Sequence, residues 1–133
     1  MLRPKVISQV LRQSLYNGVK SSLLMTYDGS LLAFATDNDK NAKIYAAITA
    51  NIWNAYKKQN NLDSFLQSNG SNSPLFILLE CEEGNVFITN IGTMLLCMVA
   101  ESSVSLGILK AKAEALKVYL EEPLLRAAAY REQ

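Results

Sequence analysis

The chain has 133 residues, half of them hydrophobic and 19% charged, which is the balance of one folded domain and excludes wholesale disorder. A net charge of +1, with no basic cluster larger than Lys57-Lys58, leaves no electrostatic footprint for nucleic acid or an anionic membrane surface. The absence of histidine removes the commonest general base, the Ser-His and Cys-His pairs and every His-containing zinc site.

The chain opens on MLRPKV and runs straight into an amphipathic pattern, unlike a secretory signal. Its longest apolar run, Met94–Ala100, is far too short to span a bilayer. No glycine follows Met1 and no cysteine lies near the C-terminus, so the usual lipid-attachment patterns are missing. The expectation is a soluble intracellular protein that meets membranes only indirectly.

Pro4 to about Tyr16 reads as a first helix, with proline at the first helical position and Ile7, Val10, Leu11 and Leu15 recurring at three and four. Asn17-Gly18 is its stop signal. Val19–Tyr27 and Ser30–Ala35 then form two strands around Asp28-Gly29, a strong hairpin signal. Asp37-Asn38-Asp39 supplies acidic, capping-type residues ahead of a second helix.

That second helix, Asn41–Lys58, is the unusual element. Ile44, Ile48, Asn51, Ile52 and Ala55 fall on one side of it, and Ala42, Tyr45, Ala46, Thr49, Trp53 and Tyr56 on another. A surface helix normally carries one apolar stripe roughly 100° wide, and this one is apolar over roughly twice that. Its own sheet can cover only one of the two surfaces, so a second protein is expected on the other.

Gln59–Pro74 is rich in Asn, Ser, Gln and Gly and reads as a mobile loop, with one transient turn around Leu62, Phe65 and Leu66. Leu75–Cys81, Val86–Ile91 and Met94–Ala100 come next as three strands of an antiparallel meander, joined by Glu82-Glu83-Gly84-Asn85 and by Gly92-Thr93. Ser102, Ser103 or Ser105 caps a third helix with the stripe Leu106, Leu109, Ala113, Leu116 and Leu120, supported by Lys110–Glu114 and Lys117–Glu121 pairs. Pro123 ends it, leaving a short tail after 122. The order α-β-β-α-β-β-β-α, with strands apolar at consecutive positions, predicts a three-layer α/β/α sandwich of the α+β type. Its antiparallel five-stranded sheet is covered by three helices in a single domain over 1–133.

Little in this pattern suggests catalysis. The six glycines are scattered and form no phosphate-cradling loop. Glu80, Glu82 and Glu83 read as a strand end and a polar turn, and no metal or cofactor site is expected. Cys81 and Cys97 read as small buried hydrophobes, on strands two spacings apart and beyond disulfide reach. No catalytic residue is expected and the protein reads as not an enzyme.

The stretches MLRPKV, GSLLA (Gly29–Ala33), AAI (Ala46–Ile48), NIW (Asn51–Trp53), FILLEC with the following EG, V and IT (within Phe76–Thr89), LLCM (Leu95–Met98), LKAKAEAL (Leu109–Leu116) and YLEEPL (Tyr119–Leu124) resemble the roadblock / dynein light chain family. Within it they are most similar to the roadblock-fold subunits of Ragulator, the late endosomal and lysosomal adaptor for MAPK and MTOR signalling. The resemblance implies a non-enzymatic scaffold without cofactors, at the cytoplasmic face of late endosomes and lysosomes. The implied partners are a second roadblock-fold subunit (the MEK-binding scaffold partner), a lipid-anchored Ragulator subunit and Rag GTPases. It implies that the second helix and the third strand form the junction with that second subunit.

Which flank of the helix meets the sheet is open on periodicity alone. The small residues around Trp53 would let a partner helix approach, so Ile44, Ile48, Ile52 and Ala55 are expected to face inward. The expected interface is then Tyr45, Ala46, Thr49, Ala50 and Trp53 with Leu75, Phe76, Ile77, Leu78 and Leu79. Two rival readings are a roadblock-type light chain of a dynein motor and a direct regulator of a small GTPase.

Overall fold

In the computed structural model, residues 4–36, 42–59, 76–82 and 84–131 are described. The expected capping run Asp37-Asn38-Asp39, the expected loop beyond Gln59, and Leu75 lie outside them. Helix α1 (Pro4–Gln13) ends three residues earlier than its apolar spacing suggests. Ser14 and Leu15 donate back to Leu11 and Arg12, tightening the last turn, and Asn17 (φ 53°) and Gly18 (φ 95°) then turn the chain left-handed. Strands β1 (Val19–Thr26) and β2 (Leu31–Thr36) form the expected hairpin. Gly29 (φ 92°) is needed at its tip because the backbone there is left-handed; it lies against α2 (Ala42–Gln59), where an added Cβ would be in ordinary contact, 3.4 Å from the Ala47 Cα and the Ala50 Cβ.

Strands β3 (Phe76–Cys81), β4 (Gly84–Ile91) and β5 (Met94–Ala100) form the meander. The connection between β3 and β4 is two residues shorter than expected, because Gly84 and Asn85 already pair with Cys81 and Glu80. The sheet is antiparallel throughout, in the order β2-β1-β5-β4-β3. Its two edges are therefore β2 and β3.

Of the three candidate caps for helix α3 (Leu106–Arg131), Ser105 accepts from the Ile108 N–H through its hydroxyl at 3.2 Å. The expected stop at Pro123 is incorrect. The helix continues to Arg131, and the tail expected after 122 is helical. Proline removes one backbone bond, but the Leu, Arg and Ala residues beyond it are strong helix formers and sustain the ladder.

Helices α1 and α3 cover one face of the sheet, through Ile7, Leu11, Leu109, Ala113, Leu116 and Leu120 against Leu24, Phe87, Leu96 and Met98. The other face holds α2, through Ala42, Ala46, Ala50 and Trp53 against Leu23, Met25, Ile88, Leu95 and Cys97. This is the expected three-layer α/β/α sandwich, and its two-sided burial accounts for the unbroken apolar run in β5. Burying each large aliphatic or aromatic side chain contributes roughly 1.5–3 kcal/mol. No described helix is long and apolar enough to cross a membrane.

Candidate partner interface

Helix α2 sits over β1, β2 and β5 and not centrally on the sheet. One flank is fixed on the β1–β2 turn. The Asn54 side-chain amide donates to the Tyr27 carbonyl at 2.9 Å, and the Lys57 ammonium lies 5.4 Å from the centre of the Tyr27 ring. Beyond the opposite flank, the same sheet face continues through β4 and β3 without a described helix above it. Ile77, Leu79, Val86 and Val99 are only half-buried there.

The assignment of the two sides of α2 is the reverse of the expectation. Ala46, Thr49, Ala50 and Trp53 are buried in the chain's own core, at 4% exposure or less, while Ile44 is 56% and Ile48 48% exposed. Ala55 also faces outward and Ile52 is half-buried. Both sides are apolar, so hydrophobicity could not decide between them; size did. Alanines at 42, 46 and 50 let the helix backbone come down onto the sheet and onto Gly29, which the bulkier Ile44/Ile48 side could not do. Trp53 fills the core beside these small residues, with its indole N–H unpartnered among the described residues.

Of the other expected interface residues, Tyr45 is exposed beside Ile48, and Tyr56 joins them on the same open side. Ile77, Leu78 and Leu79 lie half-buried on edge strand β3. Phe76 is exposed but belongs to the opposite sheet face, where its ring stacks on Phe87 at 5.5 Å beneath the Lys110 ammonium. Sequence reasoning missed Ile44, Ile48, Tyr56, Val86 and Val99. The signal that could have found the first three is the alanine spacing, which marks the close-packed side and so leaves the isoleucines for the outside.

The two sheet edges differ. Helix α1 packs along β2, whereas β3 has no described neighbour beyond it. Among the described residues, an apolar helix side, a half-covered apolar sheet face and an unpaired strand edge thus occur on one chain. Such a combination in a single chain invites association through a packed helix and an added strand.

No cluster of three or more metal-ligating side chains occurs among the described residues. Cys97 is buried, and loss of hydration pushes its thiol up to about 11 despite a hydrogen bond with Thr49. Cys81, expected to be buried, is exposed because it ends an edge strand.

Comparison with known proteins matches residues 7–100 to the Roadblock/LC7 domain model. The chain is 31% identical over 128 residues, 94% of its own length and 94% of the relative's, to the Ragulator complex protein LAMTOR2 homolog of Caenorhabditis elegans. Among solved structures it resembles MglB of Myxococcus xanthus, with a TM-score of 0.74 and 17% identity over 95% of this chain and 94% of that one. It also resembles the Roadblock/LC7 domain from Streptomyces avermitilis, with a TM-score of 0.70 and 15% identity over 90% and 96%. The two structural likenesses speak to the fold alone.

Proposed function

The chain belongs to the Roadblock/LC7 family, and from that premise we propose that it is a non-catalytic adaptor subunit of a Ragulator-type complex. In this reading the open side of α2 and the β3 edge receive a second roadblock-fold subunit, the counterpart of the MEK-binding scaffold. The sheets join edge to edge and the second helices pack side by side. A lipid-anchored subunit holds the pair at the cytoplasmic face of late endosomes and lysosomes. There it takes part in recruiting Rag GTPases and MAPK-pathway components in support of amino-acid-dependent MTOR signalling. The likeness to the Caenorhabditis elegans protein supports the Ragulator assignment.

The observation that carries the proposal is the exposure of Ile44, Tyr45, Ile48 and Tyr56 on α2, together with edge strand β3, which has no neighbour beyond it among the described residues. An isoleucine half in water forgoes roughly 1 kcal/mol of burial that a partner would supply. The test is affinity purification of the tagged chain from its own cells, as the natural form and as Ile48→Asp. The natural form should bring down a roadblock-fold subunit at one-to-one stoichiometry. Ile48→Asp should lose it while keeping its circular dichroism. Recovery of the natural chain as a lone monomer would overturn the reading.

A further inference from the structure

On the sheet face opposite α2, helices α1 and α3 are separated by a groove. Val10 lines it from α1, Tyr16 from the turn that follows, and Lys112, Ala115 and Tyr119 from α3. Its volume of about 200 Å³ is below the roughly 300–1,000 Å³ of small-molecule sites, and it is open to solvent. It lies outside the surface assigned to pairing through α2 and β3.

Helix α3 is apolar on two sides. Leu109, Ala113, Leu116 and Leu120 face the core. Ile108, Ala111, Ala115 and Val118 recur at three and four on a second side, about 150° round the helix. All four are exposed, Val118 at 71%, and Tyr119 beside them is 65% exposed. A surface helix ordinarily turns polar residues that way. The spacing is instead that of a coiled-coil seam, and its two alanines let another helix backbone come close. From Ile108 to Tyr119 the seam is about 16 Å long, three turns of a docked helix.

Charge narrows the occupant. No acidic residue lines the groove, and α1 contains none. Glu114 and Glu121 lie about 160–180° round α3 from Lys112, and Glu114 pairs with Lys110 at 3.9 Å. The Lys112 ammonium donates to the Tyr16 carbonyl at 2.7 Å and lies 3.7 Å from the centre of the Tyr16 ring. At least one of its three donors remains. Loss of hydration holds its pKa below the ordinary lysine range, and no carboxylate lies within ion-pair distance of it among the described residues. The groove thus holds a partly desolvated cation beside an apolar seam, and a carboxylate is what it lacks. In an isologous contact a second copy would present the same patch, and with it no carboxylate for Lys112.

We propose that the α1–α3 groove receives an amphipathic helix of a third chain, neither the subunit paired at α2 nor a second copy. The apolar side of that helix lies on the Ile108–Val118 seam and an Asp or Glu on its flank meets Lys112. This docking is independent of the pairing at α2. The test is photo-crosslinking in the protein's own cells, with p-benzoylphenylalanine placed at Tyr119 or, in a separate form, at Ile48. The complex is then purified and the crosslinked segment sequenced.

From Tyr119 the crosslink should map to another chain, in a segment with apolar residues at three-and-four spacing and an acidic residue within one turn. Lys112→Gln should lower its yield roughly threefold and Lys112→Arg should restore it. Ala115→Asp, which puts a charge into the exposed seam, should lower it at least about tenfold with unchanged circular dichroism. A crosslink to a second copy, to this chain's own residues, to lipid or to the subunit caught from Ile48 overturns the proposal. So does a segment without an acidic residue, or a yield indifferent to Lys112→Gln. Silence at Tyr119 in a complex that crosslinks from Ile48 sinks the docking alone. A crosslink from Tyr119 with none from Ile48 sinks the α2 pairing alone, and silence at both sinks both.

Discussion

Trp53 and Ile48 lie five residues apart on one helix and face opposite fates. Trp53 is enclosed by the small residues of α2 and by the sheet, whereas Ile48 is about half in water. Trp53→Asp should therefore cost at least about 4 kcal/mol by leaving a cavity and an unpaired buried charge, and the variant should melt early or fail to fold. Ile48→Asp in the isolated chain should change stability by less than about 1 kcal/mol. Thermal denaturation of the two variants checks the contrast. The thiols make a second residue-level pair. At neutral pH a thiol reagent should titrate the exposed Cys81 in the native protein and reach Cys97 only on unfolding. Because burial raises the Cys97 thiol from 9.0 to about 11, its contribution is intact below pH 9. Above that the unfolded chain ionises first, so stability should fall through pH 9–11. The loss should approach roughly 2–3 kcal/mol and be absent in Cys97→Ala.

At the scale of elements, the seat of α2 depends on the β1–β2 turn. Gly29 has a left-handed backbone and touches the helix at Ala47 and Ala50. Gly29→Val should strain this left-handed turn, at a cost of roughly 1–3 kcal/mol in chemical denaturation. The hairpin was legible in advance from Asp28-Gly29, and so was the cap-bearing serine cluster ahead of α3. The length of α3 was not. Proline was read as a terminator from its local chemistry, but a helix end also depends on the residues downstream, and those after Pro123 favour helix. The orientation of α2 was not legible from hydrophobicity either, since that pattern is nearly symmetric and only side-chain size, small at Ala42, Ala46 and Ala50, breaks the tie.

At the scale of the whole molecule, α1 packs against edge strand β2, whereas edge strand β3 has no neighbour beyond it among the described residues. An adaptor built this way should be markedly more stable with its second subunit than alone. The melting temperature of the co-purified pair should rise with protein concentration, and that of the isolated Ile48→Asp form should not. Differential scanning fluorimetry over a hundredfold dilution distinguishes the two.

The sequence by itself determined the order of the elements, the three layers and the existence of a helix with more apolar surface than one sheet can cover. Those properties arise from periodicity and turn chemistry, which act over a few residues at a time. Only the tertiary structure decided which side of that helix is hidden. The choice turns on how closely two backbones can approach, at Ala46, Ala50 and Gly29, a matter of volume between segments that the hydrophobic pattern does not encode.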